Sequence, residues 1–149
     1  MNKIDSFRVD HQKLDKGVYI SKIRGDMVTL DFRIKKPYVD TVLTDVQMHS
    51  LEHLLATALR SGNFCENVIY VGPMGCATGF YIIFESLNEE DMLEALFNAF
   101  RDIALFKSMP GNSVVECGNY HTLDFSIGCE LAKECLSIIN NKDKFDEYP

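Results

Sequence analysis

The segment from Thr44 to Ser61 is apolar around most of a helix's girth and breaks that character in one place. Met48, Leu51, Leu54, Leu55, Ala58 and Leu59 cover nearly every side of it. A helix so apolar has to be buried on several sides, so the rest of the chain must wrap around it. Its polar exceptions, His49, Glu52 and His53, stand at i, i+3 and i+4 and share one face. Buried polar groups without partners are costly, so this notch is expected to open into a cleft. Thr44-Asp45-Val46-Gln47 reads as a capping box that starts the helix, and Gly62-Asn63 supplies its stop.

The surrounding elements follow from periodicity. Val18 to Ile23 and Met27 to Ile34 read as strands joined by Arg24-Gly25-Asp26, the second alternating Val28, Leu30 and Phe32 with Thr29, Asp31 and Arg33. Asn67 to Val71 and Gly79 to Phe84 read as two more. Asn88 caps a second helix with a stripe of Leu93, Leu96, Phe97, Phe100, Ile103 and Ala104. Val114 to Cys117 is expected to form a short strand. A last helix, from about Asp124 to Ile139, is expected to bury Ile127, Leu131, Cys135 and Ile138, and the polar tail from about 140 to 149 to fray. Short turns between strands and three interleaved helices predict one α+β domain over residues 1–149. It would have an antiparallel β-sheet with helices packed mainly on one face.

Composition narrows the partners. The chain is 149 residues long and 46% hydrophobic, enough for one core without disulfide staples. Its formal net charge of -7 argues against a nucleic-acid partner, which wants a basic surface. No apolar run is long enough to cross a membrane. The opening residues lack the apolar centre of a signal peptide, and five cysteines is an odd count, so free thiols in the cytoplasm are expected. Cys129 and Cys135, six apart on the last helix, read as small buried apolar residues.

Two histidines four apart can ligate one metal ion, and the neighbouring carboxylate can act as a base. The bland reading is a pair of hydrogen-bonded core histidines beside a glutamate. A metal needs at least one more ligand, for which Cys117, Cys76, His11, His121 and distant carboxylates are candidates. Cys117 precedes Gly118, a position that holds a thiol and leaves room beside it. Two neutral imidazoles and a thiolate around a divalent ion leave a net charge of about +1 and an open coordination position, as catalytic sites have. Cys76 sits in the glycine-bracketed loop Pro73-Met74-Gly75-Cys76-Ala77-Thr78-Gly79, where a substrate can approach the backbone closely. A thiol beside a divalent cation can carry protons near neutrality.

Together these pieces resemble the S-ribosylhomocysteine lyase (LuxS) family over nearly the whole chain. The landmarks, in order, are Asp5-Ser6-Phe7, Asp10-His11, Asp31-Phe32-Arg33, His49-Ser50-Leu51-Glu52-His53, Pro73-Met74-Gly75-Cys76, Thr78-Gly79-Phe80-Tyr81 and Cys117-Gly118. The resemblance implies cleavage of S-ribosylhomocysteine to homocysteine and 4,5-dihydroxy-2,3-pentanedione, the autoinducer-2 precursor. It implies one divalent metal per subunit on His49, His53 and Cys117, Fe2+ foremost, with Zn2+ or Co2+ as substitutes. It also implies Glu52 and Cys76 as the acid/base pair, and Ser6, His11 and Arg33 as substrate contacts. Finally, it implies a homodimer with active sites at the interface. Ala77 and Tyr38 depart from the pattern, which commonly has arginine and asparagine there.

Two rival readings differ in chemistry. H-x-x-E-H also occurs in inverted zincins, where the glutamate activates a zinc-bound water, although the short chain and the thiol loop count against a metalloprotease. A non-catalytic, metal-stabilised binding domain would need a closed site, with a fourth protein ligand such as Cys76.

Overall fold

The computed structural model describes residues 1–149. Four strands form one antiparallel sheet: β1 (Gly17–Arg24), β2 (Met27–Arg33), β3 (Val68–Pro73) and β4 (Gly79–Glu85), in spatial order β1-β2-β4-β3. Three helices, α1 (Asp45–Arg60), α2 (Glu89–Ile103) and α3 (Phe125–Ile139), complete the α+β domain expected from the periodicity.

The period-2 pattern of β2 decides which face meets the helices. Val28, Leu30 and Phe32 pair across to Phe84, Ile82 and Phe80, and these residues join α1, α2 and α3 in one apolar core. Thr29, Asp31 and Arg33 pair opposite Ile83, Tyr81 and Gly79 on the other face. Each edge strand carries a register shift, between Ile20 and Lys22 in β1 and between Val68 and Tyr70 in β3. Such irregularities twist an exposed edge away from further pairing.

Helix α1 packs against α2, α3 and strand β3, which buries it on several sides as its apolar sequence requires. Ser50, Leu51, Leu54, Leu55, Ala58 and Leu59 are all buried, and each large aliphatic side chain contributes roughly 1.5–3 kcal/mol by leaving water. The capping box forms as read: Thr44 Oγ1 accepts from the Gln47 amide at 3.1 Å, and Gln47 Oε1 accepts from the Thr44 amide at 2.9 Å. Against α1 packs α3, capped by Asp124, whose carboxylate accepts from the Ile127 amide. The close approach depends on Gly128, where a Cβ would lie 2.7 Å from Leu54 Cδ1 and 3.0 Å from Ser50 Cβ.

Three sequence expectations are corrected. Val114 to Cys117 forms no strand: the amides of Glu116 and Cys117 both turn back to the Ser113 carbonyl, and Val114 and Val115 are exposed. Their β-branched side chains favour extended backbone, but no neighbouring strand is there to pair with them. The tail does not fray either. Asp146 bridges to β1, its amide donating to the Val18 carbonyl and its carboxylate accepting from the Val18 amide, each at 2.8 Å. In α3, Leu131 and Cys135 are buried as expected, whereas Ile138 is half-buried and Ile127 is exposed.

Candidate metal centre and its neighbouring thiol

Helical spacing brings His49 and His53 together with their rings edge to face, centroids 4.8 Å apart. Cys117 arrives from the loop ahead of α3, its Sγ 3.4 Å from His49 Nε2 and accepting from the Asn119 amide. One donor atom from each of His49, His53 and Cys117 falls within 4.8 Å of the others. Neither Cys76 nor a carboxylate joins that group. His121 is exposed and lies against the Tyr120 ring.

The outer hydrogen bonds show that this donor set suits a cation. His53 Nδ1 lies 2.9 Å from the Pro110 carbonyl, which can only accept, so the neutral ring carries its proton on Nδ1 and presents the Nε2 lone pair. Gly111 makes that contact possible: its φ is +68°, and a Cβ there would stand 2.9 Å from His53 Nδ1. His49 Nδ1 meets Thr122 Oγ1, whose own proton goes to the Asn119 carbonyl. Thr122 therefore accepts from His49 and leaves that Nε2 free as well. Two imidazoles with Nδ1 tied down and Nε2 open, beside a thiol, match the way metal-binding histidines are oriented. Burial first, and the charge of His53 second, lower the His49 pKa against the opposing pull of Glu52, which favours the neutral, ligating form. Ser50, inside the same five-residue motif, ties the two elements together: its hydroxyl accepts from the Asp124 amide at 2.8 Å, holding the Thr122 turn against α1.

Cys76 lies at the tip of the β3–β4 hairpin. The Met74 amide donates to the Gly79 carbonyl and the Ala77 amide to Met74, closing the loop. The Leu43 amide donates to the Ala77 carbonyl at 2.8 Å, which fastens the loop just ahead of the capped start of α1. The thiol is exposed, with Thr78 Oγ1 at 3.1 Å and Arg33 Nη1 at 3.7 Å. Arg33 itself is 3% exposed, its Nε and Nη2 donating to the two carboxylate oxygens of Asp31 at 3.1 and 2.7 Å. Burial alone would lower the Arg33 pKa, but the hydrogen bonds and charge of Asp31 outweigh it and raise the value. By contrast, burial pushes the thiols of Cys129 and Cys135 up, in keeping with inert, packed cysteines.

The remaining sequence candidates separate into two places. His11 shares with Cys76 and Thr78 a hollow of about 300 Å³, walled by Tyr38 and Val42. Ser6 lines a different hollow of about 310 Å³ on the open sheet face, with Tyr70 and Tyr81. Glu52 stands half-buried between the two histidines on α1. The sequence assigned no role to Thr122, Pro110, Thr78, Asp31 or Tyr148. Asp31 and Thr78 stood among the landmarks of the resemblance, and Asp31 lies two positions from Arg33 on the same strand face.

The family model for S-ribosylhomocysteinase (LuxS) matches residues 4–146. The chain belongs to the LuxS family. Among its relatives are proteins named S-ribosylhomocysteine lyase from Borreliella afzelii, 38% identical with both chains fully covered, and from Desulfotalea psychrophila, 40% identical over all of this chain and 99% of the other. Another from Finegoldia magna is 40% identical over 97% of this chain and 96% of its own length. The two departures from the LuxS pattern share a physical feature: Tyr38 and Ala77 both adopt positive φ, 65° and 60°. Asparagine is enriched in that region, so the backbone at Tyr38 suits the asparagine that the resemblance leads one to expect there.

Proposed function

We propose that this chain is an S-ribosylhomocysteine lyase, releasing homocysteine and 4,5-dihydroxy-2,3-pentanedione, with His49, His53 and Cys117 holding one divalent metal, Fe2+ foremost. The observation that carries the reading is the trio itself: two Nε2 lone pairs freed by fixed tautomers, converging with one thiol in a LuxS family chain. That set leaves an open position, and its third ligand is a thiol rather than the carboxylate an inverted zincin would use.

The scissile carbon–sulfur bond of the substrate is not activated at the outset, because the sugar carbonyl is too far from it. Two carbonyl migrations must bring the ketone into reach, after which β-elimination expels the homocysteine thiolate. A bound divalent ion supplies Lewis acidity for the sugar oxygens without any redox change. Cys76 removes and returns protons on one side of the sugar, and Glu52, on the ligand-bearing face of α1, does so on the other. Arg33 keeps a positive fork beside the Cys76 sulfur, and its buried pairing with Asp31 holds that fork in place. His11, in the same hollow as Cys76, contacts the sugar.

Ser6 completes the substrate contacts through a second copy of the chain. Its hollow is separate from that of Cys76, and exposed Ile4 and Tyr70 line it on the open sheet face. Covering that face in a homodimer buries those residues and supports an active site shared between subunits. The free cysteines fit a cytoplasmic enzyme.

The test is release of free thiol from S-ribosylhomocysteine by iron-loaded protein purified without oxygen. Stoichiometric homocysteine with multiple turnovers is expected. Absence of thiol release from metal-replete protein would refute the assignment.

A further inference from the structure

The C-terminal tail reaches the Arg33–Cys76 pair from the opposite end of the chain. Lys142 donates to both carboxylate oxygens of Asp146, at 2.9 and 2.7 Å, while Asp146 is bridged to Val18 of β1. Two residues further on, Tyr148 lies flat against Tyr19, ring centroids 4.7 Å apart and planes within 5°. From that stack its hydroxyl donates to Asp31 Oδ2 at 2.8 Å. The same oxygen accepts from Arg33 Nη2 at 2.7 Å. The last arm of the guanidinium, Nη1, donates to Thr78 Oγ1 at 2.7 Å and faces Cys76 Sγ at 3.7 Å. An unbroken run of polar contacts therefore joins Tyr148, Asp31, Arg33 and Cys76, and its two central members are each 3% exposed.

We infer that Tyr148 is a positioning residue for the proton carrier Cys76, acting through Asp31 and Arg33. The inference rests on the role given to Cys76 above. The terminal torsion of an aspartate is soft, so a two-pronged Arg–carboxylate pair can swing as a plate unless something outside the pair fixes it. Thr78 fixes the guanidinium end and Tyr148 the carboxylate end: the Tyr148 ring is clamped by Tyr19, and its hydroxyl donates to Oδ2. Burial, and then the negative charge of Asp31, raise the Tyr148 pKa, so the hydroxyl stays protonated and stays the donor. Without it, Asp31 loses a donor in a buried place, the plate loosens, and Arg33 no longer faces the sulfur at a fixed distance.

Tyr148→Phe keeps the ring stack and removes only the hydroxyl. Metal-loaded full-length parent and variant are compared in two ways. The first is the alkylation rate of Cys76 by iodoacetamide, followed by peptide mapping with half-buried Cys65 as internal reference. The thiolate is the form that alkylates, so this rate reports how the sulfur is held. The second is kcat and KM for homocysteine release. The expected result is about tenfold slower alkylation of Cys76 with Cys65 unchanged, and kcat lower by about tenfold with KM within about twofold, as for a group that acts on the chemical step and not on binding. Cys76 alkylation that is unchanged or faster in Tyr148→Phe overturns the inference. A chain ending at Asp146 should lose at least as much; a loss there with none in Tyr148→Phe would give the tail a structural role alone and likewise overturn it. Alkylation does not depend on turnover, so a parent that releases no homocysteine defeats the proposed function while this comparison still decides the role of Tyr148.

Discussion

His49 and His53 reach their common point from a single turn of α1, whereas Arg33 and Cys76 meet only after β2, the β3–β4 hairpin and the C-terminal tail have come together. The first arrangement has a local seed, set by helical period, and is closed by two loop contacts on Nδ1 from 73 and 57 positions away. The second joins the local Asp31–Arg33 pair to partners 43 to 117 positions away and buries a full ion pair, with side chains 3% and 4% exposed. A buried pair is costly to break because one unpaired charge is left behind. Damage to the first place should therefore appear in metal binding with the fold intact, and damage to the second should appear in stability and proton transfer with the metal in place.

The largest effect separates the two outright. His49→Ala removes one of three donors and should leave the purified protein without stoichiometric metal and without turnover. Cys76→Ala should retain the metal and still lose at least about a hundredfold in homocysteine release, the usual scale for a missing acid/base group. Metal analysis and a thiol-release assay on both variants are the check. Near-normal release by metal-loaded Cys76→Ala would collapse the division of labour.

This division also explains what was legible in the sequence. The notch of His49, Glu52 and His53 is a short-range pattern, visible in five residues, and Cys117 stood out through its following glycine. All three helices, the four strands and the capping box of Thr44 follow from period and punctuation in the same way. The contact of Arg33 with Cys76 spans 43 positions and leaves no periodic trace. Nor does the docking of Tyr148, because a polar tail reads as solvated until the unpaired Val18 backbone and the Asp31 carboxylate are known to await it. Val114 and Val115 misled for the opposite reason, since strand propensity has no effect where no sheet edge is at hand.

Next in size is the buried pair. Asp31→Asn keeps the shape of the side chain but removes the charge that neutralises Arg33, and should cost about 3 kcal/mol or more in a denaturant titration. Metal content of the folded fraction should be unchanged. A loss of metal in that variant would mean that the two places are mechanically coupled through the hairpin bond from Leu43 to Ala77.

The smallest effect tests the local arrangement on its own terms. Thr122→Val conserves shape and removes the one oxygen that accepts from His49 Nδ1. The Thr122 proton is already committed to the Asn119 carbonyl, so the hydroxyl acts on His49 as an acceptor and selects the tautomer with Nε2 open. Without it, His49 populates both neutral tautomers and its ring turns more freely, while His53 remains fixed by a backbone carbonyl that no side-chain change removes. Loss of such an outer partner typically weakens a metal site by about tenfold or more, and a competition titration with a metal chelator would measure it. Fold stability should change little, because the residue is half-buried in a loop ahead of α3. An unchanged affinity would mean that Cys117, and not Thr122, orients His49, and the metal centre would then be less local than its sequence suggests.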